Sequence, residues 1–554
     1  MRKLVLILVC IPCVIFSQNE ISEKKLDSIL LSYTNANKPG LAGGVIQNGT
    51  VLYLKGFGVE DVETLAPITI KTKFQVDDLA KQFTVFGIFI LEKEGKLSLE
   101  DDIRKHLPNF PEYRYVVKIK HLLNHTSGLY NLDPLKELLS IEASDIFTHE
   151  DAIRIISSQK KLSFQPGTNF SYHRSDTEII LLTEIIKSAS GMSFVEFAKK
   201  KMFEPLGMTN TLFDRNNSML SHHAKSYTVA EEITYNPLTD YTLGVTNLYT
   251  TVEDLAKWFQ LYSVNGEVSQ LVKKLDAYAR LDSGKEYAAT WGKMTLGRYY
   301  DHPERGLQKM SWQFGLVGGY GANFFRFQSH DVIGFVLGNN NRYNGMPAML
   351  LANQIVESAY TEPSEIAFDQ IKFTSLSSKK LKKFEGIYWN KTNGLVRKIR
   401  FRNDTLRYMR LGSDRETSLL PRTKNKFQFF VNGDTESFVT FDDNGYQFSS
   451  LNSLPENFHK IEPIESADVN MEEYAGVFYN RELDLIYRFS IEDESLVATN
   501  FNSPKTQFFP IVKDNFRSNT FMLSGIKFLR EENKVSGFEI HTDGINGLYF
   551  QKML

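Results

Sequence analysis

Cysteine is almost missing from this chain. Its 554 residues hold two, Cys10 and Cys13. Both lie near the N-terminus, so the rest of the protein can form neither a disulfide nor a thiolate zinc site and offers no cysteine nucleophile. A surplus of charge is missing too: 64 Lys and Arg stand against 66 Asp and Glu, a net −2. No basic field invites nucleic acid, which is not an expected partner. Long apolar runs are absent beyond the first. In MRKLVLILVCIPCVIFSQNE, Arg2 and Lys3 precede a short apolar stretch that ends at Ser17-Gln18. That stretch is shorter than the ~20 residues a membrane-spanning helix needs. Residues 1–17 are therefore expected to be a signal peptide, the protein to be exported to the periplasm or the exterior, and the mature chain to carry no transmembrane segment. His222-His223 lacks any HExxH or carboxylate spacing, so no metal and no cofactor are expected.

What is present exceeds one domain, since single cores rarely pass about 300 residues. From 22 to 360, helical patterns alternate with short strands. LAGGVIQNGTVLYLKGFG (41–58) carries alternating apolar residues around Asn48-Gly49, the favoured two-residue hairpin turn. TEPSEIAFDQIKFTSLSSKK (361–380) is polar, aperiodic and linker-like. Beyond it FEGIYWN (384–390) returns as YAGVFYN (474–480), and LLPRTKNKFQF (419–429) more weakly as FFPIVKDNFRS (508–518). Short aromatic and β-branched stretches divided by Asn, Asp and Gly predict two small barrel-like modules, 381–465 and 468–554.

One stretch concentrates chemistry. In FQVDDLAKQFTVFGIFILEKEGKLSLEDD (74–102), Asp77, Asp78 and Lys81 open a helix that is apolar nearly all round. Capping accounts for aspartates there, because their oxygens accept from free N–H groups at the positive end of the dipole. Lys81 lies one turn beyond Asp78, within reach of its carboxylate.

The same stretch resembles the serine β-lactamase and penicillin-binding protein family, in its class C-like esterase and D-aminopeptidase branch. Phe74, Val76, Lys81, Phe83, Thr84, Glu94, Gly95, Lys96, Leu97, Leu99 and Asp101 fit that pattern. The resemblance continues in order through IKHLLNHTSGL (119–129), QPGTNFSY (165–172), FEPLGMTNT (203–211) and TTVEDLAKW (250–258). It implies an α/β fold: a β-lactamase/transpeptidase-like sandwich of antiparallel sheet flanked by helices, with a helical subdomain over a cleft. The two all-β modules follow it.

The resemblance also implies where catalysis belongs, and each of those positions is altered. Asp78 occupies the place of the nucleophilic serine. A carboxylate attacking an acyl carbon gives a high-energy mixed anhydride. Tyr172 matches the tyrosine of a Tyr-x-Asn motif, but Arg174 replaces the amide. Gln313 replaces the histidine of the cleft-lining strand and cannot titrate, while Gly315 and Gly319 survive. Thr246-Asn247 stand where paired glycines precede Leu248. The expected catalytic positions are Asp78, Lys81 and Tyr172, with Arg174, Gln313 and Gly315 lining the substrate side. The expected picture is a self-plugged site, in which Asp78 places a negative charge in the oxyanion field and pairs with Lys81 and Arg174. The expected function is binding of a peptide or small molecule in the cleft, a cell-wall-like or D-amino-acid peptide, or of a protein partner. Two other readings stand beside it. One is a hydrolase using Asp78 as general base or Tyr172 as nucleophile; the other is a binding protein acting through its β modules. The sequences S-x-x-K at Ser22, Ser157, Ser158 and Ser377 lack the context of a buried helix, and His125 reads as core.

Overall fold

The computed structural model describes residues 22–170, 176–214, 220, 223–290, 295–299, 308–342, 346–358, 373–411, 415–430, 437–450, 454–500, 505–518, 520, 524–542 and 544–553. The expected signal peptide and most of the expected linker lie outside them.

Asn48 and Gly49 both take positive φ, 49° and 75°, so the chain reverses in two residues and pairs Leu41–Gln47 with Thr50–Phe57. This hairpin forms one edge of an eight-stranded antiparallel sheet. Leu41–Gln47 also pairs with Val332–Gly338, which joins the two ends of the first domain in neighbouring strands. The sheet then continues outward through Tyr320–Phe327, Gln308–Val317, Thr295–Tyr299, Glu286–Thr290 and Tyr278–Arg280.

The central strands are apolar on both faces, as Val332–Gly338 is throughout its length, and so need cover on both. On one side lie the helices Glu23–Leu31 and Met346–Ser358, whose Leu26, Leu30, Leu351 and Ile355 pack against Val45 and Val336. On the other side Lys81–Lys93, Asp176–Ser190 and Val252–Gln260 build the main core. The α/β sandwich expected from the resemblance is the fold the chain adopts. No helix among the described residues is long and apolar enough to cross a membrane.

Two closed barrels of eight antiparallel strands follow, from Gly386–Trp389 to Glu456–Ile461 and from Gly476–Asn480 to Ile545–Lys552. Each closes by pairing its first strand with its last. FEGIYWN and YAGVFYN supply the opening strand of each, with Tyr388 and Phe478 pointing inward to the respective cores.

The second barrel is docked firmly on the first domain. The Asn131 N–H donates to the Gly544 carbonyl at 2.9 Å, and Asn500 bonds both Leu138 O and Ser140 Oγ. Gly544 is at φ +85° and lies so close that a Cβ there would meet Asn131 Cβ at 2.8 Å. The first barrel leans on the second through Trp389, Val396 and Ile511, and on the first domain through Leu454, which packs against Ala279 and Leu281.

Candidate functional site

A short 3₁₀ turn, Asp77–Ala80, delivers the chain into the helix Lys81–Lys93. The helix is held by its aromatic face: Phe83 and Phe86 contact Trp258 at ring distances of 4.5 and 5.2 Å. The Trp258 indole N–H donates to Gln82 Oε1 at 2.6 Å, and Gln82 Nε2 donates to the Leu79 carbonyl. A buried amide thereby ties the turn to the core with both ends satisfied. Neither aspartate holds a cap position: Val76 precedes the 3₁₀ turn and Ala80 the helix, and both aspartates lie inside the turn. This corrects the capping expectation, and the backbone explains it. Asp77 sits in the left-handed region at φ +43°, its N–H bound to Gln75 Oε1, and the two carboxylates leave in different directions.

Asp78 turns to Lys81. The ammonium is fully buried and lies 2.5 Å from Asp78 Oδ1 and 2.7 Å from Asp176 Oδ1. Burial alone would lower its pKa; the carboxylates of Asp176 and Asp78 reverse this and hold it well above the ordinary lysine value. Lys81 is therefore a fixed ammonium. It has no lone pair with which to take a proton from a hydroxyl, and residue 78 carries no hydroxyl to give one.

Asp77 turns the other way, to the strand that lines the cleft. Thr295 pairs with Trp312, and among the described residues the strand Gln308–Val317 runs on past that point with no neighbour on this side. This side of the strand faces the 3₁₀ turn. Leu316 N–H donates to Asp77 Oδ2 at 2.9 Å, and Gln313 Nε2 donates to the Asp78 carbonyl at 2.6 Å. Gly315 permits the approach: a Cβ there would meet Val76 O, Asp77 Cβ and Asp78 N at 2.6–2.7 Å. The strand donor that would greet an oxyanion thus already holds a carboxylate. The expectation that Asp78 fills the oxyanion field is corrected: Asp77 takes the strand donor, and Asp78 takes the lysine.

Of the remaining expected residues, Tyr172 and Arg174 lie outside the described residues. Asp176 was not expected. Its signal was modest, an acidic residue at the first position of the helix Asp176–Ser190, four residues after Tyr172. The altered Thr246-Asn247 pair is rationalised by the loop: Asn247 takes φ +59° and its amide donates to the Asp240 and Thr242 carbonyls. Asparagine thereby does the conformational work of a glycine, and Leu248 O still receives the Val76 N–H. His125 is buried beside Glu178, whose Oε1 accepts from Ser127 Oγ at 2.7 Å, consistent with a core role. No cluster of three potential metal ligands occurs among the described residues.

The Beta-lactamase family model matches residues 28–355. Protein flp of Staphylococcus aureus (strain MRSA252) is 28% identical over 288 residues, 49% of this chain and 56% of that protein. Penicillin-binding protein 4* of Bacillus subtilis (strain 168) is 29% identical over 304 residues, 51% of this chain and 64% of its own. The match thus spans less than two thirds of either relative. Among solved structures, the octameric penicillin-binding protein homologue from Pyrococcus abyssi superposes with a TM-score of 0.52 at 22% identity, over 86% of this chain and 98% of that one. Sheet, helical cover, cleft and family match agree: the chain belongs to the Beta-lactamase family of penicillin-binding-protein-like serine hydrolases.

Proposed function

We propose that this protein is an exported member of its family that has lost acyl-serine chemistry and works by binding, with a peptidoglycan-like or D-amino-acid peptide, or an extended segment of a partner protein, as its ligand. The observation that carries the proposal is the buried Lys81 ammonium held between Asp78 and Asp176 where a serine and a proton-accepting amine are needed. The strand edge supports an extended ligand. Among the described residues no strand pairs with it past Trp312 on the side of the turn, where the Leu316 N–H is held by Asp77, and the apolar Phe314 and Leu316 flank Gly315, 46% and 38% exposed. A peptide added there gains main-chain hydrogen bonds and apolar side-chain contacts together. Charge narrows the choice further. Among the described residues of the turn and its contacts, Asp77, Asp78 and Asp176 outnumber Lys81. The cleft thus favours a peptide ammonium over a ligand carboxylate.

The test is intact-mass analysis of the mature protein after exposure to a labelled penicillin. An unmodified mass is expected; a stable adduct mapping to this site would overturn the proposal.

A further inference from the structure

The two barrels differ in how they are filled. In the second, Phe478, Phe489, Phe528 and Phe538 interlock ring against ring at 5.2–5.8 Å and close the interior. In the first, the deep layer is closed by Ile399, Leu406, Phe427 and Tyr446. The next layer toward one rim is only partly buried. Strand alternation places Arg397, Tyr408, Phe429 and Phe448 on the same inward face as those four, two residues further along each strand. Arg410 follows Tyr408 on that face. This rim opens into a cavity of about 1230 Å³ lined by the two barrels and by Leu129 and Phe170 of the first domain.

The walls of that cavity combine two chemistries. Tyr408, Phe429 and Phe448 form an aromatic shelf with ring distances of 4.8 and 5.7 Å. Arg397, Arg410 and Arg517 line the same cavity. Arg397 and Arg410 are direct cross-strand partners, an arrangement of like charges that disfavours itself. Arg397 donates Nε to Tyr408 Oη at 3.0 Å and Nη1 to the Val396 carbonyl at 3.1 Å, both neutral acceptors. From the second barrel, Arg517 lies over the Phe509 ring at 5.3 Å and pairs with no carboxylate among the described residues. Burial pushes its pKa below the ordinary arginine value. One carboxylate, Glu456, lines the same space, and its Oε2 accepts from the amides of Asn390 and Asn393 at 3.2 Å. Among the described residues that line the cavity, three are arginines and one is a carboxylate.

We infer that this cavity binds an amphiphilic anion, an acidic head on an apolar chain, with the chain on the Tyr408–Phe429–Phe448 shelf and the head between Arg397, Arg410 and Arg517. Arginine forks match carboxylate and phosphate oxygens in pairs, and an apolar pocket with a few convergent polar groups is the usual build of a small-molecule site. The inference does not rest on the state of Lys81.

The experiment is calorimetric titration of the full-length protein, below micelle-forming concentrations, with dodecanoate, dodecyl phosphate, dodecanol and dodecyltrimethylammonium. Saturable one-to-one binding of an anionic probe is expected, at least tenfold tighter than dodecanol, with the ammonium probe weakest. The tighter of the two anions identifies the head group as carboxylate or phosphate. Arg410→Gln combined with Arg517→Gln should weaken the anion at least tenfold and leave dodecanol unchanged. If the double variant fails to fold, Arg410→Gln alone, at an exposed side chain, should weaken it at least threefold. Equal binding of dodecanol and dodecanoate, no binding of either anion, or unchanged affinity in the folded variants would overturn the inference.

Discussion

Returning a serine to position 78 is the simplest way to ask whether the site is one residue from activity, and the proposed loss of acyl-serine chemistry predicts that it is not. In Asp78→Ser, Lys81 loses the carboxylate at 2.5 Å and keeps Asp176 at 2.7 Å. A charge-assisted hydrogen bond of this kind contributes about 1.5–3 kcal/mol, so the variant should be destabilised by that order and still fold. Its chemistry faces two obstacles. The lysine keeps the Asp176 carboxylate beside it, which favours the ammonium over the free amine a proton acceptor needs. The strand donor remains on Asp77, and loss of one oxyanion donor costs about 10²–10³ in rate. The missing donor alone leaves the variant about 10²–10³-fold below a working site, and the paired lysine lowers it further. The assays are hydrolysis of nitrocefin and p-nitrophenyl esters, with intact mass after penicillin to detect a stalled acyl-enzyme. Activity within about 100-fold of a competent family member, or a stoichiometric adduct in the single variant, would refute the reasoning. Adding Asp176→Gly and Asp77→Ala should raise the rate stepwise, since each removes one named obstacle.

Three further outcomes follow from the packing. Gly315→Ala places a methyl group 2.6–2.7 Å from atoms of residues 76–78; it should cost about 1–3 kcal/mol in thermal denaturation, and an unchanged midpoint would show that the strand does not press on the turn. Trp258→Phe leaves Gln82 Oε1 without its donor, which should cost about 1–3 kcal/mol beyond the lost ring area. Asp101 supplies a pH dependence. Burial alone would raise its pKa, but the Ser98 N–H, Lys105 and His106 hold it at about 2. A carboxylate depressed in the folded state stabilises above its unfolded value near 4, and that contribution is lost as pH falls toward 2. Asp101→Asn should therefore cost about 1–2 kcal/mol near neutrality, with the gap to wild type closing between pH 4 and pH 2 in urea titrations.

The architecture was readable because it is written locally. Asn48-Gly49 specifies its own turn, and the apolar run after Lys81 specifies a helix that must be buried all round. The closed barrels follow from even spacing of short strands. The Asp78–Lys81 pair was readable for the same reason, since three residues along a helix bring side chains together. Asp176 was not, because it reaches Lys81 across 95 positions of chain through the packing of one helix on another. Nor was the role of Asp77, which depends on a left-handed backbone that nothing in Val-Asp-Asp-Leu announces. These two residues also change what the retained lysine means. A fully buried ammonium without a partner is costly, and so are two carboxylates crowded around an empty space. Once both acids are in place, removing Lys81 alone leaves uncompensated charge worth about 3–5 kcal/mol. Lys81 can thus be held in the chain by electrostatics, with no catalytic duty. Its presence beside an altered nucleophile position carries no weight as a sign of surviving hydrolysis.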